Sequence, residues 1–110
     1  MNYVFKHNGI TLDRSGNPIS YNDGYFVSIA AIDRIDIRDL SESKIKEELE
    51  IFDRIYGHMD SVYLGLWINR GECYFDASIH INSKYHALII GKRFDQIAIW
   101  DCEKNAEVRV

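Results

Sequence analysis

The side chains best suited to chemistry in this sequence fall on one side of a predicted two-stranded ribbon, residues 61–81. Two runs of alternating polarity flank a short turn at residues 69–72. The less apolar side of these runs carries six aromatic, hydroxyl, carboxyl or imidazole groups: Tyr63, Trp67, Tyr74, Asp76, Ser78 and His80. Large rigid rings beside a few hydrogen-bonding groups are typical of recognition surfaces. We therefore predict that these six residues bind a partner.

Two alternatives apply to this set of residues. Tyr and Trp also favour strands for packing reasons alone, and a helix could cover the same face. Asp76, Ser78 and His80 resemble a catalytic set, but Ser78 lies between the other two on one strand, whereas a triad needs the base to reach the nucleophile with the acid behind it. The sequence also lacks a Gly-x-Ser-x-Gly elbow. We therefore predict no catalytic residue and no enzyme, and rank a small hydrolase last among the possible functions.

Metal and cofactor motifs are absent from the sequence. Neither Cys73 nor Cys102 has a second cysteine or a histidine at ligand spacing, and the four histidines are scattered. No Walker loop or Gly-x-Gly-x-x-Gly motif is present. We predict no metal site and no cofactor, and we interpret both cysteines as buried, reduced thiols.

Composition limits the class of protein. The 110 residues fit a single domain spanning 1–110, and 46% hydrophobic residues are enough for a core. The net charge of −4 argues against direct nucleic-acid binding, which normally needs a basic patch. The sequence shows neither a signal peptide nor an apolar run of membrane-spanning length. These features predict a cytoplasmic protein without membrane association.

The ribbon is the clearest structural prediction. A tight turn at Arg70-Gly71 pairs the apolar residues of its two strands with one another. The predicted pairs are Ile68 with Cys73, Leu66 with Phe75, Leu64 with Ala77 and Val62 with Ile79. The same register places Trp67 opposite Tyr74, Gly65 opposite Asp76 and Tyr63 opposite Ser78.

The remaining elements follow from periodicity and turn chemistry. Apolar residues at helical spacing predict a helix over 41–56 that is capped by Ser41 and ended by a left-handed Gly57. The apolar run 25–32 predicts a central strand covered on both faces. Residues 83–94 predict a second, short helix with Phe94 on its packed face, although 87–90 could instead form a strand.

Short strands complete the predicted fold. Residues 3–5 form a brief apolar run, 10–12 and 19–21 flank a turn-rich segment, and 96–100 pairs with 106–110. Together these elements predict an α+β fold, a mainly antiparallel sheet of hairpins with one long and one short helix packed on it. Exposed edge strands near the termini would allow a homodimer.

Several segments are similar to a pattern found in small bacteriophage and mobile-element proteins. They are 24–29, 63–68, 74–78, Ala87, Gly91 and 95–101, about half of the chain. The resemblance implies a context in which such proteins, anti-CRISPR proteins among them, inhibit host defences by binding and blocking. It carries no catalytic set, so no functional residue is transferred.

These observations predict a non-enzymatic, phage or mobile-element binding protein that blocks a host defence protein, such as a CRISPR effector nuclease complex. The first alternative is a protein that binds or sequesters a nucleotide signal, with Tyr63, Trp67 and Tyr74 stacking on the base. The second is the small hydrolase considered above.

Overall fold

Within residues 3–110, seven antiparallel strands form one curled sheet, with two helices packed on one of its faces. The computed structural model describes residues 3–110. In chain order the elements are β1 Gly9–Leu12, β2 Pro18–Ile19, β3 Tyr25–Asp36, a 3-10 turn Ile37–Asp39, α1 Glu42–Tyr56, β4 Val62–Asn69, β5 Glu72–Ile81, α2 Lys84–Arg93, β6 Ala98–Asp101 and β7 Ala106–Arg109. The strand order across the sheet is β2-β1-β4-β5-β3-β6-β7. This arrangement confirms the predicted α+β class.

The ribbon formed by β4 and β5 lies at the centre of the sheet. Every predicted pair is present, from Val62 with Ile79 at the open end to Asn69 with Glu72 at the turn. Arg70 and Gly71 both have positive φ, 51° and 79°, as a two-residue primed turn requires. The hydrophobic alternation therefore determined the register correctly.

Helix α1 covers one half of the sheet. Its apolar stripe, with Ile45 and Phe52 at its centre, packs against Leu64, Leu66 and Phe75. The Ser41 side chain accepts a hydrogen bond from the backbone N–H of Lys44, as expected for the first turn. The prediction for Gly57 was wrong, because this residue has φ −62° and continues the right-handed backbone.

Helix α2 covers the other half of the same face. Ala87 packs with Val27 and Ile99 in a second, smaller core cluster, and Ser83 caps the helix. The helix is present as predicted, and 87–90 is not a strand. Phe94, expected on the packed face, is 45% exposed because the helix ends before it.

Strand β3 differs most from its prediction. It is 12 residues long, and pairs with β5 over nearly its whole length but with β6 only at Tyr25 and Phe26. Irregularities in pairing occur between Ser28 and Ala30 and again after Ala31. Bulges of this kind increase local twist and bend a strand. The helices cover one face of β3, and the other face lines an open concavity, so the predicted two-sided burial was wrong.

The chain before β1 is a turn rather than a strand. Tyr3 and Phe5 pack against the α1 core, and the only β-type pairing among residues 3–8 is the bridge between Lys6 and Gly9. The predicted hairpin of residues 10–12 with 19–21 is present in shorter form, with Thr11 opposite Ile19.

Neither helix of the described chain has the length and apolarity needed to cross a membrane.

Candidate functional site

The curled sheet encloses a groove on the face opposite the helices. We call it the concave groove, and its volume is about 1240 Å³. Side chains from the three central strands and from β6 line it, among them Phe26, Ser28, Trp67, Tyr74, Asp76, Ser78 and Trp100. Each lies on the side of its strand that points away from α1 and α2. Polar and aromatic groups are therefore gathered on the one face that the helices leave open.

A tight turn at residues 6–9 reaches across the groove. Lys6 and Gly9 exchange two backbone hydrogen bonds of 2.9 and 3.0 Å, and His7 and Asn8 both have positive φ. The His7 ring lies 5.9 Å from the ring of Trp100, between centroids. Residues before the first strand thus meet the sixth strand, which shows how strongly the sheet curls.

Asp76 is the charged group set deepest in the groove. Its Oδ1 is buried and has no hydrogen-bond partner within residues 3–110. Burial raises the pKa of Asp76 to about 6, against the usual 3.8, and the nearby Ser28 hydroxyl only partly opposes this effect. At neutral pH the carboxylate is mostly ionised, and its Oδ1 lacks a donor.

Gly65 is packed closely on the groove floor. It pairs directly with Asp76 across the ribbon. A side chain there would be tight, since its Cβ would lie 3.2 Å from the Ser78 hydroxyl oxygen. Because it is a glycine, Gly65 presents backbone and no side chain to the groove.

The six residues predicted to bind a partner divide into two groups. Trp67, Tyr74, Asp76 and Ser78 line the concave groove. Tyr63 and His80 instead belong to an aromatic cluster with Tyr21 and Phe26.

Tyr21 is the residue that covers this second group. Its ring stacks on His80 at 3.7 Å with an interplanar angle of 13°. Its hydroxyl lies 2.7 Å from that of Tyr63. That hydrogen bond, together with burial, raises the pKa of Tyr63 to about 12. Tyr63 and His80 therefore pack against Tyr21 beside one end of the groove.

The set Asp76, Ser78 and His80 has other partners in the structure. The His80 Nε2 lies 2.8 Å from the carbonyl oxygen of Asp23. The Asp76 carboxyl has Ser28 as a neighbour. These contacts do not join the three side chains to one another.

A second buried carboxyl lies on the helix side of the sheet. Glu48 of α1 is fully buried, and the Lys44 Nζ lies 3.1 Å from its Oε1. The same Nζ is 3.6 Å from Asp33 Oδ2. Burial, followed by the neighbouring Asp33 carboxyl, raises the pKa of Glu48, whereas Asp33 has a lowered pKa. This cluster joins α1 to β3, and its Lys44 and Asp33 side chains reach the surface whereas Glu48 does not.

Other candidate groups are not assembled into a site. Within residues 3–110, no three histidine, cysteine or carboxylate side chains come close enough together to hold a metal ion. Cys73 and Cys102 are buried and unpaired, and burial raises the pKa of each thiol to about 11. Such thiols are poor nucleophiles.

Sequence reasoning missed part of the groove. Trp100 and Phe26 pair directly between β6 and β3, and His7 joins them at the rim. The available signal was the alternation in 98–101, which places Trp100 on the side opposite the buried Ile99 and Asp101.

Comparison with protein-family models, with curated proteins and with solved structures gave no match to this chain.

Proposed function

We propose that this chain is a non-enzymatic binding protein that uses the concave groove to engage a host protein and block it. The observation that carries the proposal is the groove itself, which Trp67, Tyr74 and Trp100 line together with a carboxylate that has a buried, unsatisfied oxygen. Aromatic rings supply much of the binding energy at protein interfaces, because they bury large areas at low entropic cost. An unsatisfied buried acceptor gains from any donor that a partner inserts.

The partner class is suggested by the sequence resemblance described above. Small acidic bacteriophage proteins often inhibit host defences by binding and blocking, so a CRISPR effector in the host cytoplasm is the partner we propose. The net charge of −4 is compatible with binding to a basic surface. Direct binding to nucleic acid is disfavoured by the same charge. A homodimer through exposed edge strands near the termini stays a prediction.

The test is an affinity capture with a groove variant and a matched control. Wild type, Trp67→Ala and Tyr85→Ala are immobilised and exposed to lysate of a bacterium that carries a CRISPR system. Tyr85 lies on α2 and is 71% exposed, so its replacement removes an aromatic ring from the other side of the molecule. Circular dichroism verifies that both variants are folded.

We expect wild type and Tyr85→Ala to capture the effector and Trp67→Ala to lose it. The purified effector should then bind with nanomolar affinity and cleave its target more slowly when this protein is present. If no host protein is captured, or if both variants capture it equally, the groove is not the blocking surface and the proposal fails.

A nucleotide signal is the second candidate ligand, favoured by the rings of Trp67 and Tyr74 beside an acceptor for a base N–H. Base stacking on such rings contributes about 1–3 kcal/mol per base. A thermal-shift panel of nucleotides decides this case, since a ligand at about 100 times its Kd stabilises the fold by about 2.7 kcal/mol. Tyr63 would take no part, because Tyr21 already covers it.

A further inference from the structure

The groove has the chemistry of a receptor for a cationic side chain. We propose that the partner inserts an arginine, carried on an exposed segment of its chain, over Gly65 and against the carboxylate of Asp76. This inference rests on the proposed function and specifies the group that the groove recognises.

The first support is the unsatisfied hydrogen-bonding capacity of the Asp76 carboxylate. The Oδ1 of this carboxylate is buried and has no hydrogen-bond partner within residues 3–110. A guanidinium presents five N–H donors in a planar fork and is always charged, so it satisfies a carboxylate better than a neutral donor does.

The second support is the shape of the groove floor around this carboxylate. Trp67 and Tyr74 lie opposite each other on neighbouring strands, two pairs along from Gly65 and Asp76 and on the same face. Because Gly65 has no side chain, a planar group can lie against its backbone beside the carboxyl and the two aromatic rings. A guanidinium placed there combines ion pairing with attraction to the ring faces.

The third support is a guanidinium that already uses one of these rings. Arg34 Cζ lies 5.9 Å from the centre of the Tyr74 ring. Its Nε is 3.2 Å from Glu72 Oε2, so its charge is neutralised at the turn end of the ribbon. Arg34 therefore does not neutralise Asp76, which can still pair with a cation from a partner.

The charges around the groove favour the same ligand. The lining residues with fixed charge are Lys6, Arg70 and Arg109 against Asp76, Asp95, Glu103 and Glu107. The acidic groups outnumber the basic ones by one, and Asp76 is the charge on the floor. An inserted cation meets a complementary potential, whereas a phosphate group would not.

The experiment measures binding of short blocked peptides by two-dimensional NMR of the full chain. Three probes are used, each with N- and C-terminal blocking groups and four glycines around a central arginine, lysine or citrulline. Citrulline has nearly the shape of arginine without its charge. The proteins are wild type, Asp76→Asn and the control Glu50→Gln, which removes an exposed carboxylate on α1, on the opposite side of the sheet from the groove.

We expect the arginine peptide to saturate shifts of Gly65, Asp76 and the Trp67 indole N–H in wild type and in Glu50→Gln. Citrulline or the Asp76→Asn substitution should weaken binding at least tenfold, and lysine should bind more weakly than arginine. Gly65→Ala, which adds a methyl group to the groove floor without changing charge, should also weaken binding.

Equal binding of arginine and citrulline, or no saturable shift at peptide concentrations up to about 10 mM, overturns the inference. The same result would leave the proposed function standing if Trp67→Ala still abolishes capture of the effector. Failure of that capture, with the arginine peptide nonetheless bound at Asp76, would instead reject the host-effector proposal and keep the cation site.

Discussion

The two faces of the central sheet each hold a buried carboxyl group, and they treat it differently. Both oxygens of Glu48, on the helix side, and the Oδ1 of Asp76, on the concave side, are buried without a well-oriented hydrogen bond from residues 3–110. The difference lies in the counter-ion: the ammonium of Lys44 is 3.1 Å from Glu48 Oε1, whereas no ion pair within residues 3–110 includes Asp76. Burial raises the pKa of both groups.

This difference distinguishes Glu48, whose charge has a structural partner, from Asp76, whose charge is available to a ligand. A buried charge with a counter-ion belongs to the packing between α1 and β3, and removal of its partner should damage the fold. A buried charge without a counter-ion costs stability in the free protein, which is common at binding sites. The variants below test this contrast, from the largest expected effect to the smallest.

Replacement of Lys44 by methionine should have the largest effect. The change leaves Glu48 buried without its cation, which typically costs about 3 kcal/mol or more. The Lys44 side chain is 24% exposed, so we expect a loss of about 2–3 kcal/mol in the free energy of unfolding, measured with urea at pH 7. The control Lys46→Met, an exposed position on the same helix, should change stability by less than about 0.5 kcal/mol. A similar loss in both variants would argue against a structural role for the Glu48 pair.

Replacement of Asp76 by asparagine should act in the opposite direction. Because the folded pKa is raised to about 6 from 3.8, the folded state holds a proton between about pH 4 and pH 6 that the unfolded state has released. Wild type therefore loses stability as the pH rises through this window. The stability of Asp76→Asn relative to wild type should increase by about 2 kcal/mol between pH 4 and pH 7.

Urea unfolding at the two pH values measures this relative gain, and Glu107→Gln is the control at an exposed carboxylate on the same groove. If Asp76→Asn shows no gain in the free energy of unfolding relative to wild type at pH 7, the ionised Asp76 carboxylate does not destabilise the fold. The two carboxyl groups would then not differ in the way described above.

Loss of the α1 cap should have a smaller effect that is confined to the helix side. In Ser41→Ala the N–H of Lys44 loses its 3.1 Å acceptor, and such caps contribute about 1 kcal/mol. Ser43→Ala, in the first turn of the same helix, should be nearly neutral. Urea unfolding compares the two, and arginine-peptide binding should be the same for both. Equal destabilisation by the two substitutions would show that the hydroxyl of Ser41 does not cap the helix.

Removal of the His7 ring should have the smallest effect. His7 is exposed and contacts Trp100 from the tip of a turn. We expect His7→Ala to change the free energy of unfolding by less than about 0.5 kcal/mol and to shift the Trp100 indole resonance in NMR spectra. A larger loss would mean that the turn at residues 6–9 holds the curl of the sheet together.

The sequence contained most of the information on local structure. Alternation along 62–68 and 73–81 predicted the ribbon register residue by residue, because a slip by one position would expose the core face. Ser41 and Ser83 marked both helix starts through their side-chain hydrogen bonds.

The curl and the groove could not be predicted in the same way. The run Ile29-Ala30-Ala31-Ile32 is apolar throughout, so the sequence does not indicate which of its side chains point to which side of the sheet. Its pairing irregularities with β5 depend on tertiary structure. The cover that Tyr21 places over Tyr63 and His80 comes from a loop, where periodicity gives no information. Tyr63 and His80 were therefore grouped with groove residues although they pack beside it.

The position of the aromatic residues also makes the groove observable without a label. The chain contains two tryptophans, and both Trp67 and Trp100 line the groove. Intrinsic fluorescence thus reports on the concave side of the folded molecule. An occupant that displaces water from these indoles would move their emission to shorter wavelength, while helix-side variants would leave the spectrum unchanged until the protein unfolds.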